Sequence, residues 1–329
     1  MDREFNQPAS LEDAISLYST VGNRNADFLF NWISDVYDYF YLPSIDSQYK
    51  SVLKLDKTKL TIFDVLVDDL ADNCKIRNKE LLEKAIKIPW NGTRPYKNRY
   101  LDVTRVMWQE CIDSIRRYPR FKEFEDLFYF DLEKTLASMK YSFLANCTGF
   151  NNELEDGIYI QHGVMAILHA DMDLMCSPNF DKEELKKLRP ILHYVQNIVH
   201  IGNLMNTYAR EVEEVDFSSP MLSLAISEGL IDKQTVVNDP EYTIEKLGYL
   251  IPYFKGKVEN DFQKIEEYAN TIESIDMINY YNKLRRVWEE FVARKKYWKN
   301  DKIEEKEEKI IQPITTQISN NNALKWARM

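Results

Sequence analysis

Apolar residues recur at helical spacing along most of this chain, and this pattern constrains the fold more than any other feature. Within residues 57–73, for example, Leu60, Phe63, Val67 and Leu70 share one side of a helix. Strand-like alternation is nowhere sustained. Glycine accounts for only 9 of the 329 residues, which disfavours a fold that is rich in tight turns. The sequence therefore predicts an all-α protein.

Turn-forming residues divide this pattern into separate helices. Ser10 with Asp13 predicts a capping box at the start of the first helix. Further helices are predicted at 24–41, 57–73, 79–88, 98–118, 121–145, 158–176, 181–214, 219–229, 240–273 and 276–299. Residues 301–329 are charged and then polar, and we expect a mobile tail there.

Composition limits the partners of the protein. The net charge of −10 argues against general nucleic-acid binding, and it means that an anionic substrate needs locally placed cations. Four widely separated cysteines, with no C-x-x-C pair, indicate reduced thiols. The amino terminus has no signal-peptide pattern, and no stretch approaches the ~18 apolar residues of a membrane span. We expect a cytoplasmic protein without a membrane span.

The first acidic cluster is Asp68-Asp69-Leu70-Ala71-Asp72, at the end of an apolar helical stretch. Asp68 and Asp72 are four residues apart and project from one face, which Asp64 extends by a turn. Like charges at this spacing repel each other, so they either face water or are neutralised by cations. Mg²⁺ prefers such oxygen ligands, but a solvated acidic face remains the alternative.

The second cluster lies in residues 203–211, within a long helical stretch. Asn203, Thr207 and Glu211 follow each other at intervals of four, and Arg210 stands beside the glutamate. Their oxygens could hold a cation that already carries a phosphate, and Arg210 could donate to that phosphate. A hydrated seam between helices is the alternative interpretation of this row.

Together the two clusters resemble the metal-binding motifs of class I terpene synthases, the aspartate-rich D-D-x-x-D and the N-D-x-x-S/T-x-x-x-E triad. They stand here as DDLAD (68–72) and NLMNTYARE (203–211), with 135 residues between Asp68 and Asn203. The resemblance implies one domain over residues 1–300, a single antiparallel helical bundle with a central active-site cavity. It implies three Mg²⁺ ions, a linear isoprenoid diphosphate such as farnesyl or geranylgeranyl diphosphate, and a terpene product, expected to be cyclic. We expect a monomer or a homodimer.

The family's residue roles are carried over by position. The magnesium ligands correspond to Asp68 and Asp72 in the first motif and to Asn203, Thr207 and Glu211 in the second. Asp69 resembles a residue that supports the first ligands, and Arg210 resembles a diphosphate contact. Pocket residues are expected at Phe63, Tyr159, Gly163 and Trp288, where Gly163 resembles the site at which a helix break exposes a backbone carbonyl to the cation. Aromatic faces stabilise passing positive charge, and Phe28, Trp32 and Tyr39 are further aromatic candidates.

Three positions depart from the family pattern. Leu204 replaces an acidic residue that is not normally a ligand. Tyr159 stands where an arginine diphosphate sensor is usual, four residues before the helix-break glycine, here Gly163. Lys296 and Tyr297 stand in place of a carboxy-terminal Arg-Tyr pair and are expected to serve catalysis.

Two other functions remain open at the level of sequence. One is a chain-elongating isoprenyl diphosphate synthase, which has a second aspartate-rich motif in place of the triad; this chain has none after residue 200. The other is a non-catalytic, all-helical interaction protein whose acidic clusters face water.

Overall fold

The computed structural model describes residues 10–294, and all regular structure in that range is helical. The all-α prediction is therefore confirmed. Lys296, Tyr297 and the predicted tail at 301–329 lie outside the described residues. The helices are α1 (Leu11–Ser19), α2 (Ala26–Val36), α3 (Lys50–Asp68), α4 (Lys79–Ala85), α5 (Arg99–Ile115), α6 (Phe121–Thr148), α7 (Glu153–Ile158), α8 (Ala166–Met175), α9 (Leu185–Glu213), α10 (Pro220–Ser227), α11 (Lys233–Asn238), α12 (Pro240–Gly248), α13 (Ile251–Ala269) and α14 (Met277–Arg294).

Two long helices organise the bundle. α9 packs against α8, α12, α13 and α14, whereas α3 packs against α1, α2 and α5. Each of these two helices carries one of the acidic motifs near its carboxy-terminal end. Within residues 10–294, no helix combines the length and the apolar character that crossing a bilayer requires.

Side-chain caps define several helix starts. The capping box predicted at Ser10 is present, because Ser10 Oγ accepts from the Asp13 amide at 3.1 Å and Asp13 Oδ2 accepts from the Ser10 amide at 3.2 Å. Asparagine side chains cap α2, α4, α5 and α7 in the same manner. These caps provide acceptors for amides that have no partner within the helix.

The helix predicted at 158–176 is broken. α7 ends at Ile158, a 3₁₀ turn covers Ile160–Val164, and α8 starts at Ala166 after Met165 adopts a left-handed backbone with φ of 53°. Gln196 of α9 bridges the break: its Oε1 accepts from the Ile167 amide at 3.3 Å, and its Nε2 lies 3.1 Å from His162 Nδ1. Sequence periodicity does not reveal this break, because apolar residues continue on both sides of it.

Two further boundaries differ from the sequence prediction. α3 begins at Lys50, seven residues before the predicted start at 57. The predicted helix at 240–273 is two helices, since α12 ends at Gly248 and α13 begins at Ile251, with a proline in its first turn. Proline is favoured at that position because the first turn needs no amide donor there. The predicted helix at 181–214 is confirmed from Leu185 onward and continues through Pro190.

Gly202 allows α14 to approach α9 closely. A Cβ atom built at Gly202 would lie 2.6 Å from a ring carbon of Phe291 on α14. Phe291 is buried and forms part of the central cavity wall. The absence of a side chain at Gly202 therefore sets the position of an aromatic ring beside the cavity.

We predict that Gly202→Ala destabilises the protein by about 1–3 kcal/mol, because the ring of Phe291 must move to admit a methyl group. Gly256→Ala on α13 is the matched control, since a Cβ there meets nothing within 4 Å. That control should stabilise the protein by about 0.5–1 kcal/mol through helix propensity. Urea unfolding measures both; equal effects of the two substitutions would contradict this packing.

Candidate active site

A cavity of about 440 Å³ lies among α2, α3, α8, α9 and α14, within the size range of small-molecule sites. Most of its wall is apolar, with an aromatic contribution from Phe28, Trp32, Phe40 and Phe291. Polar residues are concentrated in two places, at the mouth beside the acidic motifs and further inside. The mouth is lined by Asn23, Arg24, Asn25, Asp68, Asn73, Lys75, Asn203, Asn206, Thr207, Arg210 and Glu214.

The aspartate-rich motif continues the end of α3. Asp68 lines the cavity, and the Asp72 amide donates to the Asp68 carbonyl at 3.0 Å, so the chain makes one more turn beyond the helix. Asp69 is fully buried on another side of this turn. The supporting role predicted for Asp69 is compatible with this placement and stays a prediction.

Arg24, in the loop before α2, connects the two motifs. Its guanidinium lies 2.5 Å from Asp69 Oδ1, 3.7 Å from Asp72 Oδ1 and 3.9 Å from Glu214 Oε1. Tyr18 adds a 3.4 Å hydrogen bond to Asp69. One cation therefore contacts both the turn after α3 and the residue that follows α9, which places the two acidic helix ends at one side of the cavity.

The second motif lies on the last three turns of α9. Asn203, Thr207 and Arg210 line the cavity, whereas Glu211 is buried beside it. The Thr207 hydroxyl donates to Glu211 Oε1, and Arg210 lies 3.6 Å from Glu214. The spacing in the sequence therefore predicts correctly that these residues share a helix face.

Asp216 is an acidic residue of this site that the motif comparison misses. The Asp216 amide donates to the Glu211 carbonyl at 2.8 Å, because Val215 has a left-handed backbone with φ of 53° and turns the chain back over the end of α9. A β-branched residue in this conformation is strained. The sequence does not reveal this turn, because glycine is the usual residue in a left-handed conformation and this position holds a valine.

The pKa values of these carboxylates are strongly perturbed. Burial raises the pKa of Asp68 to about 7, while Arg24 opposes the increase. Burial also raises the pKa of Glu211 to about 7, and Asp216 adds to this effect. The pKa of Asp72 lies well above its usual range because of burial and of repulsion by Asp68 and Asp216. Asp216 therefore couples electrostatically to residues of both motifs.

These residues fit a divalent cation chemically. Asp72 Oδ1 and Glu211 Oε2 are buried and make no hydrogen bond within the described part of the chain. Buried carboxylate oxygens that lack hydrogen-bond donors and repel one another are the kind of ligand that Mg²⁺ neutralises. No group of three acidic, histidine or cysteine side chains among residues 10–294 converges closely enough to hold a metal alone.

The predicted pocket residues have different locations. Gly163 lines the cavity at the helix break, beside Met165. Phe63 and Trp288 are buried but do not line the cavity; Phe63 packs against Trp108, with ring centroids 5.2 Å apart. Tyr159 is 41% exposed and stacks on Tyr141 outside the cavity. The predicted pocket roles of these three aromatic residues are therefore not supported by their positions.

A second concavity, of about 850 Å³, lies around the α10–α11 loop. Most of its lining residues are solvent-exposed, among them Asp232, Lys233 and Gln234. It contains no residue of either acidic motif. The chemistry predicted from the sequence therefore belongs to the central cavity.

Comparison with known proteins supports the fold. No model of a known protein family matches the sequence, and no curated protein does. The structure is similar to the crystal structure of the linalool/nerolidol synthase from Streptomyces clavuligerus in complex with 2-fluorogeranyl diphosphate, with a TM-score of 0.56 and 13% sequence identity. The match covers 88% of this chain and 99% of that chain. The chain therefore shares the all-helical fold of that synthase, which is the fold that the resemblance of the two motifs implies.

We predict that Arg24→Leu destabilises the protein by about 3–5 kcal/mol, because it leaves buried carboxylates without their counterion. Adding Asp69→Asn should recover part of this loss. The control is Arg116→Leu, which removes an exposed pair with Asp113 and should cost less than about 1 kcal/mol. Chemical unfolding measures all three variants. A loss at Arg24 no larger than at Arg116 would show that Arg24 does not stabilise the site.

Proposed function

We propose that this protein is a terpene synthase that ionises a linear isoprenoid diphosphate and converts the carbocation to a terpene. The observation that carries the proposal is the meeting of two acidic motifs at the mouth of an apolar, aromatic-lined cavity. The acidic mouth suits a metal–diphosphate group, and the apolar wall suits a hydrocarbon chain.

We propose Asp68 and Asp72 as ligands on one side of the mouth, with Asn203, Thr207 and Glu211 on the other. Bound Mg²⁺ would supply Lewis-acid stabilisation of the charge that develops on the departing diphosphate. Asp69 keeps the first motif in place through Arg24 and Tyr18. Negative charge on Asp216 would act on both sets of ligands, since Asp216 raises the pKa values of Asp72 and Glu211.

The basic residues at the mouth would bind the diphosphate. Arg24, Lys75 and Arg210 all line the cavity there. Two of them contact acidic residues at the ends of α3 and α9, since Arg24 contacts Asp72 and Glu214 while Arg210 contacts Glu214. These cations would take the role that the missing sensor arginine has in related enzymes. Lys296 and Tyr297 remain proposals for the same role.

The cavity wall would protect the carbocation from bulk water and stabilise it. Trp32 and Phe291 contact each other edge to face, with ring centroids 5.4 Å apart, and both line the cavity. Their faces can attract a cation, at roughly 0.5–2 kcal/mol for each ring. The similar synthase was crystallised with a geranyl diphosphate analogue, so geranyl diphosphate belongs in a substrate test with farnesyl and geranylgeranyl diphosphates.

We predict that Asp68→Asn and Glu211→Gln each reduce diphosphate release from these three substrates at least about a hundredfold, because each removes charge that binds the metal. Asp113→Asn on α5 is the control, since it changes a carboxylate outside the cavity. Release of diphosphate with Mg²⁺ is measured together with product mass. Longer prenyl diphosphate products, formed when isopentenyl diphosphate is added as the five-carbon co-substrate, would instead identify a chain elongase, and no release would favour the interaction protein.

We also predict that Mg²⁺ with pyrophosphate stabilises the wild-type protein, by about 2.7 kcal/mol when the ligand is at a hundred times its Kd. Thermal unfolding with and without a chelator measures this change. Asp68→Asn should weaken the stabilisation, whereas Asp113→Asn should retain it. If Mg²⁺ with pyrophosphate stabilises the two variants equally, the cation binds at another site.

A further inference from the structure

A polar cluster lies inside the cavity, away from the metal-binding motifs. It consists of Tyr37, Thr61 and His169, and we call it the inner cluster. Tyr37 Oη lies 2.9 Å from Thr61 Oγ1 and 3.1 Å from His169 Nδ1. Thr61 precedes Asp68 by seven residues on α3, a separation of ~10 Å along the helix axis. The cluster therefore faces the hydrocarbon part of a bound substrate.

The hydrogen atoms of this cluster can be assigned from its contacts. The Thr61 hydroxyl donates to the Lys57 carbonyl at 2.9 Å, so its only hydrogen is used there. Tyr37 then donates its own hydrogen to Thr61 and accepts one from His169 Nδ1, which is its nearer contact at 3.1 Å, whereas Nε2 lies 3.5 Å from the same hydroxyl. In this arrangement His169 Nε2 carries a lone pair and no hydrogen, which makes it an acceptor.

The surroundings keep His169 neutral. Burial lowers the pKa of His169 well below its usual range, and the nearby Lys57 ammonium lowers it further. Lys57 is fixed by an ion pair with Asp173 at 2.7 Å. A neutral imidazole can accept a proton, whereas an imidazolium cannot.

Asp64 adds a further polar group beside the inner cluster. It lines the cavity one turn before Asp68, is 6% exposed, and its Oδ1 makes no hydrogen bond within the described residues. Asp64 lies one turn after Thr61 on α3, and burial raises its pKa well above the usual range. A buried water needs about two to four polar partners, and Tyr37, His169 and Asp64 together offer that number.

We propose that the inner cluster binds a water molecule that adds to the carbocation, so that the product is a terpene alcohol. This inference rests on the proposed function and goes beyond it by identifying how the reaction ends. An enzyme that forms only hydrocarbon products would not need polar side chains in this part of the cavity wall. Water bound to them is a nucleophile and shortens the life of the carbocation.

The step is balanced as follows. The water oxygen donates an electron pair to the cationic carbon and forms a C–O bond. The resulting oxonium loses one proton to His169 Nε2, which becomes an imidazolium. No electron transfer or further reactant is needed, and the proton leaves later with the diphosphate product or solvent. His169 is the catalytic base, and Tyr37 and Thr61 position it.

The test measures products in ¹⁸O-labelled water with Mg²⁺ and each of the three isoprenoid diphosphates. The wild-type enzyme should form an alcohol that contains one ¹⁸O atom. Cleavage of the phosphate ester by attack at phosphorus would leave the original ¹⁶O in the alcohol, so the label separates the two routes. Diphosphate release, measured in the same reactions, tests the proposed function separately.

Tyr37→Phe and His169→Leu are the informative variants. Each should lower the amount of labelled alcohol per diphosphate released by at least about tenfold, with hydrocarbon products increasing, since the base or its positioning is lost. Tyr118→Phe is the matched control: Tyr118 is buried and donates to Asp56 at 2.7 Å, outside the cavity. It should not change the product ratio. Circular dichroism confirms folding, and either folded variant suffices for the test.

Three results would overturn the proposal. Wild-type enzyme that releases diphosphate but forms only unlabelled or hydrocarbon products would contradict it while leaving the terpene synthase function intact. If the folded variants form as much labelled alcohol per diphosphate released as the wild type, the water binds at another site. Absence of diphosphate release with every substrate would remove the proposed function, and the inference with it.

Discussion

The guanidinium of Arg24 is the interaction on which the geometry of this site depends. Two helices end in acidic residues, and bringing those ends together without a counterion would place like charges in a poorly solvated region. Arg24 contacts Asp69 and Asp72 on one side and Glu214 on the other. It neutralises part of this charge while leaving Asp68 and Glu211 with raised pKa values. The site is thereby held together and still lacks positive charge, which a metal–diphosphate group would provide.

Much of this arrangement follows from helical spacing. Residues four apart share a helix face, so the rows at Asp68 and at Asn203 could be identified from sequence. The structure places Asp68, Asn203 and Thr207 in the lining of one cavity, whereas Asp72 and Glu211 are buried and do not line it. Arg24 and Asp216 could not be found in this way. Each reaches the site through a loop or a helix end, and its position depends on tertiary packing and on the strained backbone of Val215.

The aromatic residues show a second limit of the sequence. Periodicity separates the buried face of a helix from the exposed face, but it does not separate a core from a cavity wall. Phe63 packs on Trp108 in the core, whereas Phe28 and Trp32 line the cavity. Periodicity misses the break around Met165 for a related reason, and only the family resemblance anticipates it, at Gly163. The hydrogen bonds that bridge the break come from Gln196, which is far away in the sequence.

Gly202 links the stability of the bundle to the selection of substrates by size. Phe291 rests directly on this glycine and forms part of the cavity wall. The next residue along the chain, Asn203, belongs to the second acidic motif. A larger side chain at 202 would displace the ring and reshape the space available to the hydrocarbon, one residue away from the metal-binding row. Altering the isoprenoid length that the cavity accepts by substitution at this position would therefore also disturb the start of that row.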